Sequence, residues 1–330
     1  MLKIENLSTY LYTEDGLLKA VDKVNLEIRQ GETLGLVGES GCGKSMTALS
    51  IMRLIPTPPG RITCGKIFFD GKNLLDLEEK ELRQIRGKRI SIVFQEPATS
   101  LNPVWKIGDQ IQESIMTHQK KTKPAAKKEV LHLLNLVGIS FPEERFNDYP
   151  HQLSGGMRQR VMLAMAISSK PDILIADEPT TALDVTIQAQ ILDLLIDLKK
   201  RMNMSVLFIT HDFGIIAEMA DRVAVMYAGR IVEIAKTEEL FRQPLHPYTK
   251  ALLDVLPKEN IKSFKSIPGE VPHLADLPSG CYFHPRCKKT LDICRREFPK
   301  MEKSDKDHWV SCWNPNISIK ESYSNWRNKR

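Results

Sequence analysis

Continuous apolar runs at three places predict the core of this protein. The run 33–37 is followed by a glycine-rich turn and by a helical pattern from Lys44 to about Leu54, which predicts a β-loop-α unit. The runs 173–176 and 206–209 have the composition of buried parallel strands, and the amphipathic stretch 185–201 between them predicts a crossover helix. These elements together predict an α/β core.

The pattern also divides the chain into regions. Residues 1–95 read as strands and turns and end in a strand at 89–94, whereas 97–169 have apolar residues at helical spacing, among them Val130, Leu133, Leu134 and Val137. After about residue 235 the composition changes to Pro, His, Cys and charged residues. We therefore predict one domain over 1–235, with a helical subdomain at about 97–169, and a C-terminal domain over 236–330.

Composition and charge narrow the class of protein. With 42% hydrophobic and 27% charged residues among 330, the chain resembles ordinary soluble globular proteins, which excludes disordered and fibrous classes. Its net charge of +6 suits a nucleotide, a nucleic acid or an anionic membrane surface and selects none of them. Its apolar runs are shorter than the ~20 residues of a bilayer-crossing helix, and residues 1–12 lack a leader pattern, so we expect neither membrane spanning nor secretion.

A phosphate-binding motif occupies the turn between the first predicted core strand and its helix. The sequence Gly38-Glu39-Ser40-Gly41-Cys42-Gly43-Lys44-Ser45 matches GxxxxGK[ST] in the strand-loop-helix context that this motif requires. Its backbone N–H groups and the helix N-terminus can wrap a phosphate, Lys44 can neutralise the β and γ oxygens, and Ser45 can offer its hydroxyl to Mg²⁺. We interpret Cys42 as a small residue of the loop.

Two carboxylates follow the predicted strand at 173–176. Asp177, at the carboxyl end of that strand, is placed to reach a magnesium ion held by Ser45. Glu178 would point elsewhere and could polarise the water that attacks the γ-phosphate. Adjacent carboxylates are common at turns, so this pair indicates a nucleotide site only because the chain also contains the phosphate loop.

The motif order resembles that of the ABC ATPases. The sequence Leu153-Ser154-Gly155-Gly156-Met157-Arg158-Gln159-Arg160 is similar to the LSGGQ-type signature, with Met157 where Gln is commoner. Gln95, the tripeptide Ala182-Leu183-Asp184 and His211 fall at the other motif positions of that family. The resemblance covers residues 1 to about 235 and implies a RecA-like P-loop core with an antiparallel β subdomain and a helical subdomain.

The resemblance also assigns roles to residues. Two subunits would meet head to tail, so that the signature of one closes over ATP held by the loop of the other. Gln95 would join Mg²⁺ and water to the helical subdomain, and His211 would sense the γ-phosphate. Tyr12 or Tyr10, which lie on the same face of an alternating segment, would stack on adenine, and we favour Tyr12. The implied nucleotide-contacting set is Tyr12, Gly38, Ser40, Gly41, Cys42, Gly43, Lys44, Ser45, Met46, Gln95, Ser154, Gly155, Gly156 and Asp177. The catalytic set is Glu178, His211 and Gln95, and the Mg²⁺ set is Ser45, Gln95 and Asp177.

The C-terminal region extends the resemblance to one group of importers. The segments His246-Pro247-Tyr248 and Gly280-Cys281-Tyr282-Phe283-His284-Pro285-Arg286-Cys287 are similar to those in ATPase subunits of bacterial dipeptide and oligopeptide importers. This implies an ATP-hydrolysing subunit at the cytoplasmic face of the membrane. Its partners would be a second ATPase subunit, either a copy or a paralogue, two membrane permease subunits, and indirectly an extracytoplasmic peptide-binding protein. Nickel and other small-solute importers have similar ATPases; a nucleic-acid-associated ATPase and a non-hydrolysing regulatory module fit less well.

Four cysteines lie close together in the C-terminal region. Cys281, Cys287, Cys294 and Cys312 have the spacing C-x5-C-x6-C-x17-C, which differs from the paired CxxC of common zinc modules. Four thiolates can hold zinc or a cubane iron–sulfur cluster, and spacing alone does not choose between them. Relatives that keep these cysteines resemble [4Fe–4S] proteins, which implies a cluster of structural role here. His284 and His308 are further candidate zinc ligands, although four cysteines leave no vacancy.

Overall fold

The computed structural model describes residues 1–14, 16–95, 100–181, 183–256, 267–305 and 307–316. Contacts divide the chain into two units. The first unit comprises Met1–Ile28, Thr33–Leu75 and the described part of Thr210–Arg330, and the second comprises Arg29–Glu32 and Asp76–Ile209. Each unit is described by itself.

Strands and helices alternate along the described residues. The strands are β1 Leu2–Thr13, β2 Gly16–Ile28, β3 Thr33–Val37, β4 Gly60–Phe69, β5 Lys72–Asn73, β6 Ile90–Val93, β7 Ile173–Asp177, β8 Ser205–Thr210, β9 Arg222–Tyr227, β10 Arg230–Lys236, β11 Glu302–Asp305 and β12 His308–Val310. The helices are α1 Lys44–Ile51, α2 Glu79–Arg83, α3 Ile107–Gln119, α4 Lys123–Leu136, α5 Pro142–Arg145, α6 Gly155–Ile167, α7 Val185–Met202, α8 Phe213–Met219, α9 Thr237–Arg242 and α10 Pro247–Val255, with short 3₁₀ turns at Pro150–Gln152, His284–Arg286 and Asp292–Arg295.

The first unit contains two sheets. One is a four-stranded antiparallel sheet in the order β2-β1-β4-β5, the predicted antiparallel β subdomain. In the other, β3 pairs in parallel with β9, and β10, β12 and β11 follow in antiparallel order. All five residues of β3 are buried, as its apolar run predicts. The loop after β3 therefore starts from a fixed point in the core.

Helix α1 ends three residues earlier than the sequence pattern predicts. The helix stops at Ile51, and Arg53 adopts a left-handed φ of 49°. A non-glycine residue in that region ends the helical hydrogen-bond ladder before the prolines that follow. The predicted β-loop-α unit is otherwise present.

The second unit contains a parallel sheet and a group of helices. β6, β7 and β8 pair in parallel, and α7 connects β7 to β8, as the sequence predicts. Asp184 caps α7 by accepting from Ile187 N–H at 2.9 Å, and Asn203 ends it in the left-handed region. Helices α3 to α6 occupy the stretch predicted to be a helical subdomain.

The C-terminal region adds β12 to the edge of a sheet in the first unit. Glu233 of β10 pairs with Val310, and its buried carboxylate accepts from the backbone N–H of Leu245 and His246 at 2.7 and 2.9 Å. His308 Nε2 lies 2.7 Å from the same carboxylate. Contacts group this region with the N-terminal sheets, and the predicted boundary near residue 235 stays a prediction. Among the described residues, no helix is long and apolar enough to cross a bilayer.

Candidate nucleotide-binding site

The phosphate loop joins β3 to α1 in the first unit. Gly43 has a φ of 106°, and a Cβ built on it would lie 2.1 Å from the carbonyl oxygen of Ala20. A side chain at this position would therefore be both strained and obstructed. Gly38 and Cys42 are buried, whereas Ser40 and Gly41 are exposed. Ser40 and Gly41 at the tip of the loop are therefore accessible to a ligand, whereas Gly43 is tightly packed against Ala20.

Lys44 folds back over the loop that precedes it. Its side chain is buried, and Nζ donates to the carbonyl oxygens of Gly38 and Glu39 at 2.9 and 3.0 Å. Ser45 and Met46 follow in the first turn of α1, both partly buried. Helix α1, all of whose residues the structure describes, has no acidic residue in its first turn. The partial positive charge at its N-terminus can therefore act on an anion.

Cys42 has the environment of a packed residue. Burial raises the pKa of the Cys42 thiol to about 11. A thiol with such a pKa stays protonated near neutral pH and is a poor nucleophile. This agrees with the interpretation of Cys42 as a small loop residue.

Glu178 and Gln95 are brought together in the second unit. Gln95 Nε2 donates to Glu178 Oε2 at 2.9 Å, and Thr181 Oγ1 donates to the same oxygen at 3.0 Å. Glu178 has a φ of 46°, so the chain turns sharply after the buried Asp177 and directs the two carboxylates differently. Sequence reasoning missed Thr181, although its position three residues after Glu178 in a turn is a signal for such a bond.

The signature residues open α6 in the second unit. Ser154 is exposed and caps the helix by accepting from Met157 N–H at 3.3 Å. Gly155 and Gly156 form the first turn, and a Cβ on Gly156 would lie 2.6 Å from Ile187 Cγ2. The glycine lets α6 approach α7 closely and leaves the backbone N–H groups of the first turn open to a ligand.

His211 and the two candidate adenine-stacking tyrosines, Tyr10 and Tyr12, lie in the first unit. His211 is exposed directly after β8, and Asp212 caps α8 by accepting from Gly214 N–H at 2.7 Å. Tyr12 is 55% exposed, whereas the Tyr10 hydroxyl donates to Asp22 at 3.2 Å. This difference favours Tyr12 as a stacking residue. Ala182 lies outside the described residues, and the predicted approaches of Asp177 to Ser45 and of His211 to Glu178 stay predictions.

The four clustered cysteines lie close enough to influence the pKa of Cys281 and Cys312, but their side chains are not arranged to hold one metal ion. Among the described residues, no group of three or more His, Cys, Asp or Glu side chains is arranged to hold a metal ion, so a C-terminal metal-binding domain is not established. Burial raises the pKa of Cys281 to about 11 and that of Cys312 to about 12, and the neighbouring cysteines add to both shifts. The candidate zinc ligand His308 is instead engaged by Glu233.

Backbone N–H groups point at three of these sulfurs. Cys287 Sγ accepts from Lys289 N–H at 3.4 Å, and Cys294 Sγ accepts from Leu291 N–H at 3.5 Å. Cys312 Sγ accepts from Asn314 N–H at 3.4 Å. Such bonds stabilise sulfur that carries negative charge, which is the form that binds metal.

Comparisons with known proteins agree with the loop and the signature. The family described as "ABC transporter" matches residues 21–181, and the family described as "Oligopeptide/dipeptide transporter, C-terminal region" matches 232–294. A probable peptide ABC transporter ATP-binding protein of Sinorhizobium fredii is 48% identical over 96% of this chain and 95% of its own length. The dipeptide transport ATP-binding protein DppD of Bacillus subtilis is 49% identical over 95% of this chain and 94% of its own length.

Solved structures agree as well. A dimeric post-hydrolysis structure of the ATP-binding cassette MJ0796, bound to ADP and Pi, is 29% identical with a TM-score of 0.65, covering 72% of this chain and 99% of that one. The chain belongs to the family of ABC transporter ATP-binding proteins. It is an ATPase of the ABC type, and the alignments with these two peptide-transport relatives cover 96% and 95% of it.

Proposed function

We propose that this chain is the ATP-hydrolysing subunit that powers import of dipeptides or oligopeptides through a membrane ABC transporter. The observation that carries the proposal is the C-terminal match over residues 232–294, in the same chain as an intact phosphate loop. Relatives from several bacteria are named as dipeptide or oligopeptide transport ATP-binding proteins. The cargo class follows from these two observations together.

Lys44 and the first turn of α1 would bind the phosphates of ATP. Lys44 Nζ, which donates to two loop carbonyls in this structure, would exchange these bonds for bonds to the β and γ oxygens. Ser45, Gln95 and Asp177 would hold Mg²⁺, which when bound neutralises charge on the phosphates. Tyr12 would stack on adenine, and Gly38, Ser40, Gly41, Cys42, Gly43 and Met46 would line the loop.

Glu178 would accept the proton of the attacking water. Its bonds from Gln95 and Thr181 both fall on one carboxylate oxygen, Oε2, and orient the group. His211 would contact the γ-phosphate.

The exposed N-terminus of α6 would complete the site of a partner subunit. Ser154, Gly155 and Gly156 would contact the γ-phosphate of ATP held by that partner, in a head-to-tail dimer of two copies or of this chain with a paralogue. Two permease subunits would receive the helical subdomain, and an extracytoplasmic binding protein would deliver the peptide. With these partners the chain would lie at the cytoplasmic face of the membrane.

The four cysteines would hold a [4Fe–4S] cluster. A single zinc ion needs all four sulfurs at ~2.3 Å from one point, whereas each sulfur of a cubane binds a different iron, so the sulfurs stand further apart. The backbone N–H bonds to Cys287 and Cys312 support the proposal, because such bonds stabilise thiolates that bind iron. Because the surrounding segment consists of short turns, we assign a structural role to the ligation.

The cluster is tested by spectroscopy on anaerobically purified protein. We expect broad visible absorption and about four irons per chain, both lost when Cys294 is replaced by Ser. A colourless protein with one tightly bound zinc would contradict the assignment and restore the zinc alternative.

The transport function is tested in proteoliposomes that contain this chain, its partner ATPase and the permease subunits encoded beside it. We expect ATP-dependent uptake of a labelled dipeptide or oligopeptide in the presence of the binding protein. Uptake of nickel without stimulation of ATP hydrolysis by any peptide would contradict the peptide assignment.

A further inference from the structure

Glu39 places a carboxylate inside a loop that binds an anion. It is the second residue of the phosphate loop Gly38–Ser45, and its carbonyl oxygen is one of the two that receive Lys44 Nζ, at 3.0 Å. A negative charge here repels the phosphates that the loop must hold. The loop therefore needs a group that neutralises Glu39 and directs its side chain away.

Arg286 supplies that group from the cysteine-bearing segment, 247 residues further along the chain. Its two terminal nitrogens donate to the two carboxylate oxygens of Glu39 at 2.8 and 3.0 Å, in a bidentate pair. Only 5% of the Arg286 side chain is exposed, and 26% of that of Glu39. Water therefore screens this pair much less than a surface ion pair.

The guanidinium of Arg286 is itself fixed in place. Nε donates to the carbonyl oxygen of Pro268 at 3.0 Å, and the group lies over the ring of Tyr227. Glu39 N–H is held separately, because it donates to the Tyr248 hydroxyl at 3.0 Å. Glu39 is thus held at its carboxylate by Arg286, at its backbone N–H by Tyr248 and at its carbonyl oxygen by Lys44.

The same segment also contacts Asp22, a neighbour of the candidate adenine-stacking residues. The Tyr282 hydroxyl donates to Asp22 at 2.9 Å, and Asp22 also accepts from Tyr10, two residues before Tyr12. Segment 281–287 therefore touches neighbours of both the phosphate loop and the adenine-stacking candidate. It carries Cys281 and Cys287 at its ends.

We propose that Arg286 is a positioning residue for ATP binding: it neutralises and orients Glu39, and through this pair segment 281–287 sets the affinity of the phosphate loop for nucleotide. This inference rests on the proposed ATP site. The inference predicts that replacing Arg286 weakens nucleotide binding only when Glu39 carries its negative charge.

The test is a double-mutant cycle on the full-length chain, with a fluorescent ATP analogue as the probe. Arg286→Gln is expected to raise the Kd at least about tenfold, because Glu39 is left unpaired beside the phosphates. Glu39→Gln in the same chain is expected to return the Kd to within about threefold of wild type, because the repelling charge is gone. Arg286→Lys keeps the charge but loses the bidentate geometry and is expected to lie between.

A matched control removes an arginine from an exposed pair in the same unit. Arg242→Gln breaks a contact with Glu239 on the surface of α9 and is expected to leave the Kd unchanged. The hydrolysis rate at saturating ATP is expected to stay within about twofold of wild type in Arg286→Lys, which separates binding from chemistry.

Two results would overturn the inference. One is a Kd for Arg286→Gln equal to that of wild type. The other is a loss of affinity that Glu39→Gln does not relieve, since that would mean Arg286 acts by packing alone. If Arg286→Gln does not fold, Arg286→Lys and the double variant give the same comparison. A wild-type chain that binds and hydrolyses ATP without supporting peptide uptake would contradict the proposed transport function and leave this inference standing.

Discussion

At the scale of single residues, the proposed chemistry depends on side chains that would contact ATP and water and on a buried arginine that holds a residue of the phosphate loop. The phosphate-loop glycines, Lys44 and Glu178 belong to local motifs, so their positions are readable from spacing. Arg286 is not readable in this way, because its partner Glu39 lies 247 residues away and only the fold brings them together. Burial of an arginine leaves no local pattern in a sequence.

Replacing Glu178 by Gln tests the proposed base. We expect ATP binding close to that of wild type and hydrolysis slower by about 10²–10⁴, because the amide can keep the bonds from Gln95 and Thr181 but cannot accept the proton. Steady-state phosphate release and analogue binding are the measurements. Glu144→Gln, on an exposed position of α5, serves as the control, and normal turnover in Glu178→Gln would remove the assignment.

Replacing Gly43 by Ala tests whether the loop requires the close approach of Gly43 to Ala20. The added Cβ would meet the Ala20 carbonyl oxygen at 2.1 Å and adopt a φ of 106°. The backbone strain alone costs about 1–3 kcal/mol, and the obstruction adds to it, so we expect a lower Tm and loss of nucleotide binding. Gly31→Ala is the matched control, since Gly31 has a φ of 72° with nothing within 4 Å. Equal losses in both variants would mean that the contact with Ala20 is unimportant.

At the scale of elements, continuous apolar runs in the sequence predict the buried strands, whereas short strands with polar residues are not predicted. β3, β7 and β8 are buried throughout, and such runs are visible in any window of the sequence. β12 has three residues and a mixed pattern, and its pairing with β10 depends on the buried Glu233 and on His308. Its register could not be predicted, because the stabilising contacts span more than seventy residues.

The start of α10 gives a prediction about pH. Burial lowers the pKa of His246 to about 4, and its Nδ1 accepts from Tyr248 N–H at 3.0 Å. The unfolded chain binds this proton more readily, since the ordinary histidine pKa is near 6.5, so the folded state loses stability as the pH falls from about 6.5 to about 4. The loss is about 3 kcal/mol in total by the usual conversion of pKa differences.

The variant His246→Asn checks this assignment. Asparagine can accept the same helix-capping bond but does not titrate, so we expect the unfolding free energy of the variant to fall less than that of wild type over this pH range. Denaturant titrations at pH 7 and pH 5 provide the comparison. An identical acid dependence in the two proteins would place the acid-sensitive group elsewhere.

At the scale of the whole molecule, the protein carries the two surfaces that the proposed dimer would use. The phosphate loop lies in the first unit, where Ser40 and Gly41 are exposed, and the signature helix α6 lies in the second, where Ser154 is exposed. The solved cassette MJ0796 is described as dimeric, which supports the proposed pairing. The sequence predicts these surfaces from their motifs, and its resemblance implies a second ATPase subunit, but it does not choose between a copy and a paralogue, because a paralogue would be another chain.

The most direct measurement of the central claim is a structure of the complete transporter with the Glu178→Gln variant and ATP·Mg²⁺. We predict ATP between two ATPase subunits, with its phosphates on Lys44 of this chain and against the signature helix of the partner subunit. ATP bound to the Lys44 loop of a chain that stays unpaired, or a closed pair with no nucleotide at its interface, would contradict the account.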